Sequence, residues 1–146
     1  MDLILWRHAE AADGKPDSAR ELTERGREQA RRAARWLTPR LPEHCKILVS
    51  PAARAQQTAS ALGTGFVTTT SVGTDASAGD VVAAAGWPAR PDAVLVVGHQ
   101  PTLGRVAAML LSGAQADWEI EKGAIWWLRR AGDKTLLLAV VDPSFA

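Results

Sequence analysis

Arginine and histidine side chains follow three apolar segments of this sequence, each shortly after the segment ends. They are Arg7 and His8, then Arg54, and then His99. A guanidinium group is planar and permanently charged, so it suits phosphate oxygens, and an imidazole ring serves as a nucleophile or transfers protons. Together these are the side chains of a phosphoryl-transfer site that forms a phosphohistidine.

The apolar segments are predicted to be strands of one sheet. Residues 2–6, 45–49 and 93–97 are short apolar runs rich in strand-forming residues. Helical patterns alternate with them, which is typical of a parallel sheet covered by helices on both faces. Residues 124–129 and 135–141 predict a final antiparallel hairpin. The expected fold class is therefore α/β, a three-layer α/β/α sandwich with a mainly parallel central sheet and a C-terminal antiparallel hairpin.

The sequence predicts that two helices begin close to the basic side chains, and the free N–H groups at a helix N-terminus attract anions. Ser50 is predicted to be an N-cap and Pro51 the first residue of a helix that carries Arg54 in its first turn and ends at Gly63. Pro101 opens a second such helix. Because the carboxyl ends of parallel strands share one edge, both helix N-termini are expected to point at that edge and to favour an anion there.

The composition indicates a globular protein without an extended charged surface. The chain has 146 residues, 47% hydrophobic and 23% charged, with a formal net charge of +1. We expect one domain over residues 1–146, no nucleic-acid partner and no membrane partner. No apolar run is long enough for a signal peptide or a bilayer span, and the single cysteine cannot form an internal disulfide, so a cytoplasmic location is expected.

Three motifs occur in an order and at a spacing that resemble a known family. They are Arg7-His8, Ser50-Pro51-x-x-Arg54-Ala55-x-Gln57-Thr58, and Gly98-His99-x-Pro101. This pattern is similar to the histidine phosphatase superfamily, whose fold is also called phosphoglycerate-mutase-like. The short chain and the segment Arg20-x-Leu22-Thr23-x-x-Gly26-x-x-Gln29-Ala30 most resemble the compact SixA-type phosphohistidine phosphatases.

The resemblance implies a role for each of these side chains. His8 would be the nucleophile that becomes phosphorylated, and His99 the second imidazole that contacts the transferred group. Arg7 and Arg54 would hold the phosphate, and Arg20 would reach the same pocket from its loop. We expect no metal ion and no other cofactor, because the histidines lack the clustered carboxylates or thiolates of a metal site.

Two positions depart from the family pattern. The family has a glycine after the nucleophilic histidine, whereas this sequence has Ala9. Gln100 follows the second histidine where the family often has asparagine. Since alanine rarely adopts a positive φ, the loop after His8 is expected to do without one.

The general acid of larger relatives has no clear counterpart in this sequence. Those relatives place a Glu or Asp after the helix that carries the second arginine, and here that segment offers only Asp75 and Asp80. Asp80 is more simply a first-turn helix residue, and Asp75 a solvated loop residue. An alkoxide leaving group gains roughly 10²–10⁴-fold from a positioned acid, whereas a phosphorylated imidazole leaves more readily. The site is therefore expected to prefer N–P bonds or good oxygen leaving groups.

The sequence thus predicts a metal-independent phosphatase, a hydrolase of phosphoric monoesters or phosphoramidates with a covalent phosphohistidine intermediate. The expected substrate is phosphohistidine on a signalling protein. Two alternatives stay open, a phosphatase of a small phosphate ester with the same site and a non-catalytic phosphate-binding regulatory module. The presence of both His8 and His99 argues against the second alternative.

Overall fold

A six-stranded mixed sheet forms the centre of the computed structural model, which describes residues 1–146. The strands are β1 (Asp2–Arg7), β2 (Cys45–Val49), β3 (Val67–Thr68), β4 (Ala93–Gly98), β5 (Ile125–Ala131) and β6 (Lys134–Val141). Their order across the sheet is β3-β2-β4-β1-β5-β6. The pairs among β1 to β4 are parallel, and β5 pairs antiparallel with both β1 and β6. The predicted parallel sheet and C-terminal hairpin are confirmed.

Helices cover both faces of this sheet. They are α1 (Glu24–Leu37), α2 (Ala53–Ser60), α3 (Ala78–Ala85) and α4 (Thr102–Ser112). Side chains alternate along β1, so Ile4 and Trp6 pack with α1 and α2, while Leu3 and Leu5 pack with α3 and α4. The three-layer α/β/α sandwich is therefore confirmed. None of these helices has the length and apolar character needed to cross a membrane.

The loop after β1 lies directly against α1. Thr23 caps the helix, because its hydroxyl oxygen accepts a hydrogen bond from the Gly26 N–H at 3.0 Å. A Cβ atom at Gly26 would clash with the backbone carbonyl of Glu10, so glycine allows this close approach. The N–H of Glu10 also donates to the side-chain oxygen of Gln29 at 2.9 Å. These contacts fix the chain just beyond His8.

The start of α2 differs from the sequence-based expectation. Ser50 is not an N-cap and Pro51 is not the first helical residue, because the helix begins at Ala53. The Ser50 hydroxyl accepts a hydrogen bond from the Ala52 N–H at 3.2 Å and lies 2.7 Å from Nε2 of His99. The expectation was wrong because this hydroxyl is used by a distant imidazole rather than by the helix that follows it.

Two other helix boundaries shift by a few residues. The second helix ends at Ser60 rather than at Gly63, and the chain between them continues in tighter i→i+3 turns. The sequence predicts a short helix from Asp80 to Ala85, whereas the third helix begins at Ala78, because Ser77 and Asp80 form a capping box. Neither shift changes the packing of the layers.

Candidate active site

One cavity at the carboxyl ends of β1 and β4 gathers the side chains that the sequence singles out. Its volume is about 290 Å³, and it is lined by Arg7, His8, Ala11, Asp17, Arg20, Arg54, Thr74, His99, Gln100 and Lys122. Arg7 ends β1 and His8 follows it, while His99 directly follows the neighbouring strand β4. Arg54 lies in the first turn of α2 and Arg20 in the loop before α1. The structure thus brings all of the predicted site residues together.

The His8 ring is held in one neutral tautomer by the contacts of its two nitrogens. Nδ1 lies 2.7 Å from the carbonyl oxygen of Ala9, which can only accept, so Nδ1 carries the proton. Nε2 accepts a long hydrogen bond of 3.3 Å from the Nε–H group of Arg54, so Nε2 keeps its lone pair. The nitrogen that faces the cavity arginine is therefore the one with nucleophilic character.

Burial keeps both imidazoles of the cavity uncharged. His8 is 9% exposed and His99 is 5% exposed. Desolvation is the main cause that lowers the pKa of His8 to about 3, and the positive charges of Arg54 and Arg7 lower it further. Desolvation and Arg54 also lower the pKa of His99 to about 4, against the raising effect of Asp17. At neutral pH both rings are neutral, which is the state that a nucleophile requires.

The two central arginines are held by different contacts. Arg54 is almost buried, and its Nη1 and Nη2 atoms donate to the backbone and side-chain oxygens of Asp17 at 2.9 and 3.1 Å. Arg7 is tethered at one end, where Nη1 donates to the carbonyl oxygen of Ile120 at 2.8 Å. Each guanidinium group keeps further N–H groups that could donate to an anion.

Two buried nitrogens of the cavity residues have no hydrogen-bond partner in the protein, Nε of Arg7 and Nδ1 of His99. When the hydroxyl of Ser50 donates to Nε2 of His99, the proton of this ring lies on Nδ1, which is then also a donor. A buried donor without an acceptor costs roughly 1–3 kcal/mol. Arg7, Arg54 and His99 line the cavity together, so their N–H groups form a donor set that suits a tetrahedral oxyanion such as phosphate.

Asp17 supplies a carboxylate that sequence reasoning missed. It lies in a short 3₁₀ turn (Asp17–Ala19), and its side chain pairs with Arg20 and Arg54 at 3.1 Å each. The four other lining residues, Ala11, Thr74, Gln100 and Lys122, were also missed as site residues. The i,i+3 spacing of Asp17 and Arg20 was the only local signal for this group.

Neither candidate general acid from the sequence lines the cavity. The carboxylate of Asp80 accepts a hydrogen bond from the Ser77 N–H at 2.9 Å and belongs to the cap of α3. Asp75 is exposed in a turn. Hydrogen bonds from Arg20 and Arg54 hold the pKa of Asp17 below its usual value. The one carboxylate that lines the cavity is therefore ionised at neutral pH.

Ala9 occupies its position without a strained backbone. No residue other than glycine has a positive φ, in agreement with the expectation for the loop after His8. The methyl group is fully buried, and the Ala9 N–H donates to the hydroxyl oxygen of Thr58 at 3.0 Å. Because this hydroxyl in turn donates to the carbonyl of Arg54 at 2.7 Å, it links the His8 loop to α2.

The sequence matches a described protein family over about half of its length. Residues 3–76 match the family model of the histidine phosphatase superfamily, branch 1. Phosphohistidine phosphatase SixA of Escherichia coli (strain K12) is 41% identical to this chain over 64 residues. That alignment covers 43% of this chain and 40% of SixA, so it spans less than half of the curated relative.

Solved structures align over nearly the whole chain. The protein histidine phosphatase SixA complexed with tungstate has a TM-score of 0.82 and 26% identity, over 99% of this chain and 98% of that chain. A protein from Nakamurella multipartitia assigned as phosphohistidine phosphatase SixA has a TM-score of 0.79 and 28% identity, over 97% of this chain and 95% of that one. The chain therefore has the fold of these proteins.

Proposed function

The chain belongs to the histidine phosphatase superfamily, and we propose that it is a phosphatase that removes the phosphoryl group from phosphohistidine on signalling proteins through a covalent intermediate on His8. One observation carries the proposal. The neutral Nε2 of His8 shares a cavity with two residues that each hold an unpaired buried nitrogen, Arg7 and His99. The similar protein SixA forms a complex with tungstate, another tetrahedral oxyanion, which supports a site for such an anion in this chain.

In the first step, Nε2 of His8 attacks phosphorus in line with the leaving nitrogen of the substrate. A P–N bond to His8 forms while the substrate P–N bond breaks, and the electron pair of the broken bond stays on the substrate imidazole. The Nε–H group of Arg54 lies 3.3 Å from the attacking nitrogen, so it is placed to donate to a phosphoryl oxygen once phosphorus approaches Nε2. Together with Arg7 and His99 it stabilises the charge on the three equatorial oxygens.

In the second step, water attacks the phosphorus atom of phospho-His8. The P–N bond breaks, its electron pair returns to Nε2, and the proton of the water passes to solvent or to the phosphate. Throughout both steps the hydrogen bond from Nδ1 to the Ala9 carbonyl keeps the ring in the same orientation. Positioning and electrostatic stabilisation supply most of the rate enhancement.

The substrate class follows from the leaving group. The carboxylate of Asp17 is ionised, so it has no proton to donate to a departing alkoxide. A phosphoimidazole that is protonated on its other nitrogen leaves as a neutral ring and needs no acid. A cavity of about 290 Å³ admits the phosphoryl group and its ring, while the rest of a protein substrate stays outside.

A comparison of two substrates tests this proposal. We expect kcat/KM for a phosphohistidine peptide to exceed that for an unactivated sugar phosphate by roughly 100-fold or more, the size of a missing general acid. EDTA should leave both rates unchanged. Faster turnover of the sugar phosphate would favour the small-ester phosphatase. A protein that binds phosphate but hydrolyses neither of these substrates nor an activated aryl phosphate would favour the non-catalytic module.

A further inference from the structure

Asp17 contacts two arginines of the cavity at once. Its Oδ1 atom accepts a hydrogen bond from Nη1 of Arg20 at 3.1 Å, and its Oδ2 atom accepts one from Nη2 of Arg54 at 3.1 Å. Its backbone carbonyl accepts a third, from Nη1 of Arg54 at 2.9 Å. The Asp17 side chain is 58% exposed and that of Arg54 only 6%, so a surface loop holds a nearly buried guanidinium group.

These contacts determine the direction in which the Arg54 guanidinium faces. Because the group is a rigid planar fork, fixing both terminal nitrogens also fixes Nε. The Nε–H group then points at Nε2 of His8, at 3.3 Å. Arg20 is held in a similar way, by Asp17 at one nitrogen and by the carbonyl of Ala12 at Nε, at 2.9 Å.

The same carboxylate places a negative charge where an anion must bind. Four cationic side chains line the cavity against the single carboxylate of Asp17: Arg7, Arg20, Arg54 and Lys122. A bound phosphate would be repelled by Asp17 and would compete with it for guanidinium N–H groups. Without this carboxylate, the cavity would hold free phosphate more tightly and release it more slowly.

We propose that Asp17 is a positioning residue with two separable effects. Its hydrogen bonds turn Arg54 towards His8, and its charge weakens the binding of inorganic phosphate so that this product leaves quickly. The benefit to turnover rests on the proposed phosphatase function, but the effect on phosphate affinity does not.

Calorimetric titration with inorganic phosphate tests the charge effect. The variant Asp17→Asn removes the charge and keeps the size of the side chain. We expect it to bind phosphate about fivefold more tightly than the wild type, as one partly exposed charge contact allows. The matched control is Asp13→Asn, which removes the same charge from an exposed residue in the same loop. Its affinity should stay within about twofold of the wild type, since surface charges at a distance are screened.

The positioning effect is tested with Asp17→Ala, which removes the side-chain contacts to both arginines. Single-turnover transfer from an activated aryl phosphate should slow by roughly tenfold or more, because Arg54 is no longer aligned. The nitrogen resonance of Arg54 Nε should shift in this variant and not in Asp13→Asn. An unshifted resonance together with wild-type transfer would overturn the positioning effect.

The charge effect has its own contradicting results. Unchanged or weaker phosphate binding by Asp17→Asn would overturn it, and so would equal tightening in Asp13→Asn. The titration needs no turnover, so it tests the effect of Asp17 on phosphate affinity independently of the proposed phosphatase function. If the wild type hydrolyses no phosphate compound while Asp17→Asn still binds phosphate more tightly, the phosphatase function fails and the charge effect stands.

Discussion

The buried, neutral state of His8 makes the stability of the protein depend on pH. The pKa of this imidazole is about 3 in the folded protein, against an ordinary value of 6.5 for the unfolded chain. Between these values the unfolded chain binds a proton that the folded protein does not bind. The free energy of unfolding must therefore fall as the pH falls through this range.

The substitution His8→Asn removes this dependence, and the two pKa values set its size. Between pH 7 and pH 5 the wild type should lose about 2 kcal/mol more stability than His8→Asn. The lowered pKa of His99, about 4, predicts a similar difference for His99→Asn. Unfolded carboxyl groups titrate mainly below this window, at about pH 4, and they are common to all three proteins.

Urea-induced unfolding at the two pH values measures these differences. The buffer must contain no phosphate, because an anion that binds only the folded state would raise its stability. The same unfolding slope in all three proteins would show that they expose the same surface. Equal losses of stability in the wild type and in His8→Asn would show an ordinary pKa for His8. That result would refute the claim that burial lowers the pKa of this imidazole.

Three further substitutions and one matched control test the cavity and the packing that supports it. Arg54→Lys keeps the charge but not the planar fork, and kcat towards an aryl phosphate should fall roughly 100- to 1000-fold, while wild-type kcat would contradict its role. Ser50→Ala removes the hydroxyl that contacts His99. It should lower kcat about fivefold, which corresponds to the free energy of one hydrogen bond, and an unchanged kcat would contradict this role. Gly26→Ala should destabilise the protein by about 1–3 kcal/mol in urea unfolding, because its methyl group overlaps the Glu10 carbonyl. The control Gly79→Ala in α3 has room for the methyl group and should stabilise the protein by up to about 1 kcal/mol. If Gly26→Ala stabilised the protein as well, the packing argument would be contradicted.

Residues at the ends of strands were placed correctly from the sequence. A buried apolar strand can be recognised locally, and parallel strands deliver the residues that follow them to one edge. Arg7, His8 and His99 follow this rule, and they all line the cavity. Arg54 was placed because α2 begins soon after β2, even though the predicted first residue of that helix was wrong.

Ser50 and Asp17 could not be placed in the same way, because distant residues determine what they contact. The Ser-Pro pair predicts a helix cap, but the hydroxyl of Ser50 meets His99, 49 positions further along the chain. Asp17 lies in a loop without periodicity, and its conformation depends on Arg54, 37 positions away. Such contacts leave no local pattern, so only the folded chain reveals them.

Trapping the phosphorylated protein tests the central claim most directly. The chain is mixed with an activated aryl phosphate, denatured at alkaline pH to preserve the acid-labile P–N bond, and fragmented for mass spectrometry. The account predicts a phosphoryl group on His8 and on no other residue, and none in His8→Asn. A phosphoryl group on another side chain, or turnover by His8→Asn at the wild-type rate, would contradict it.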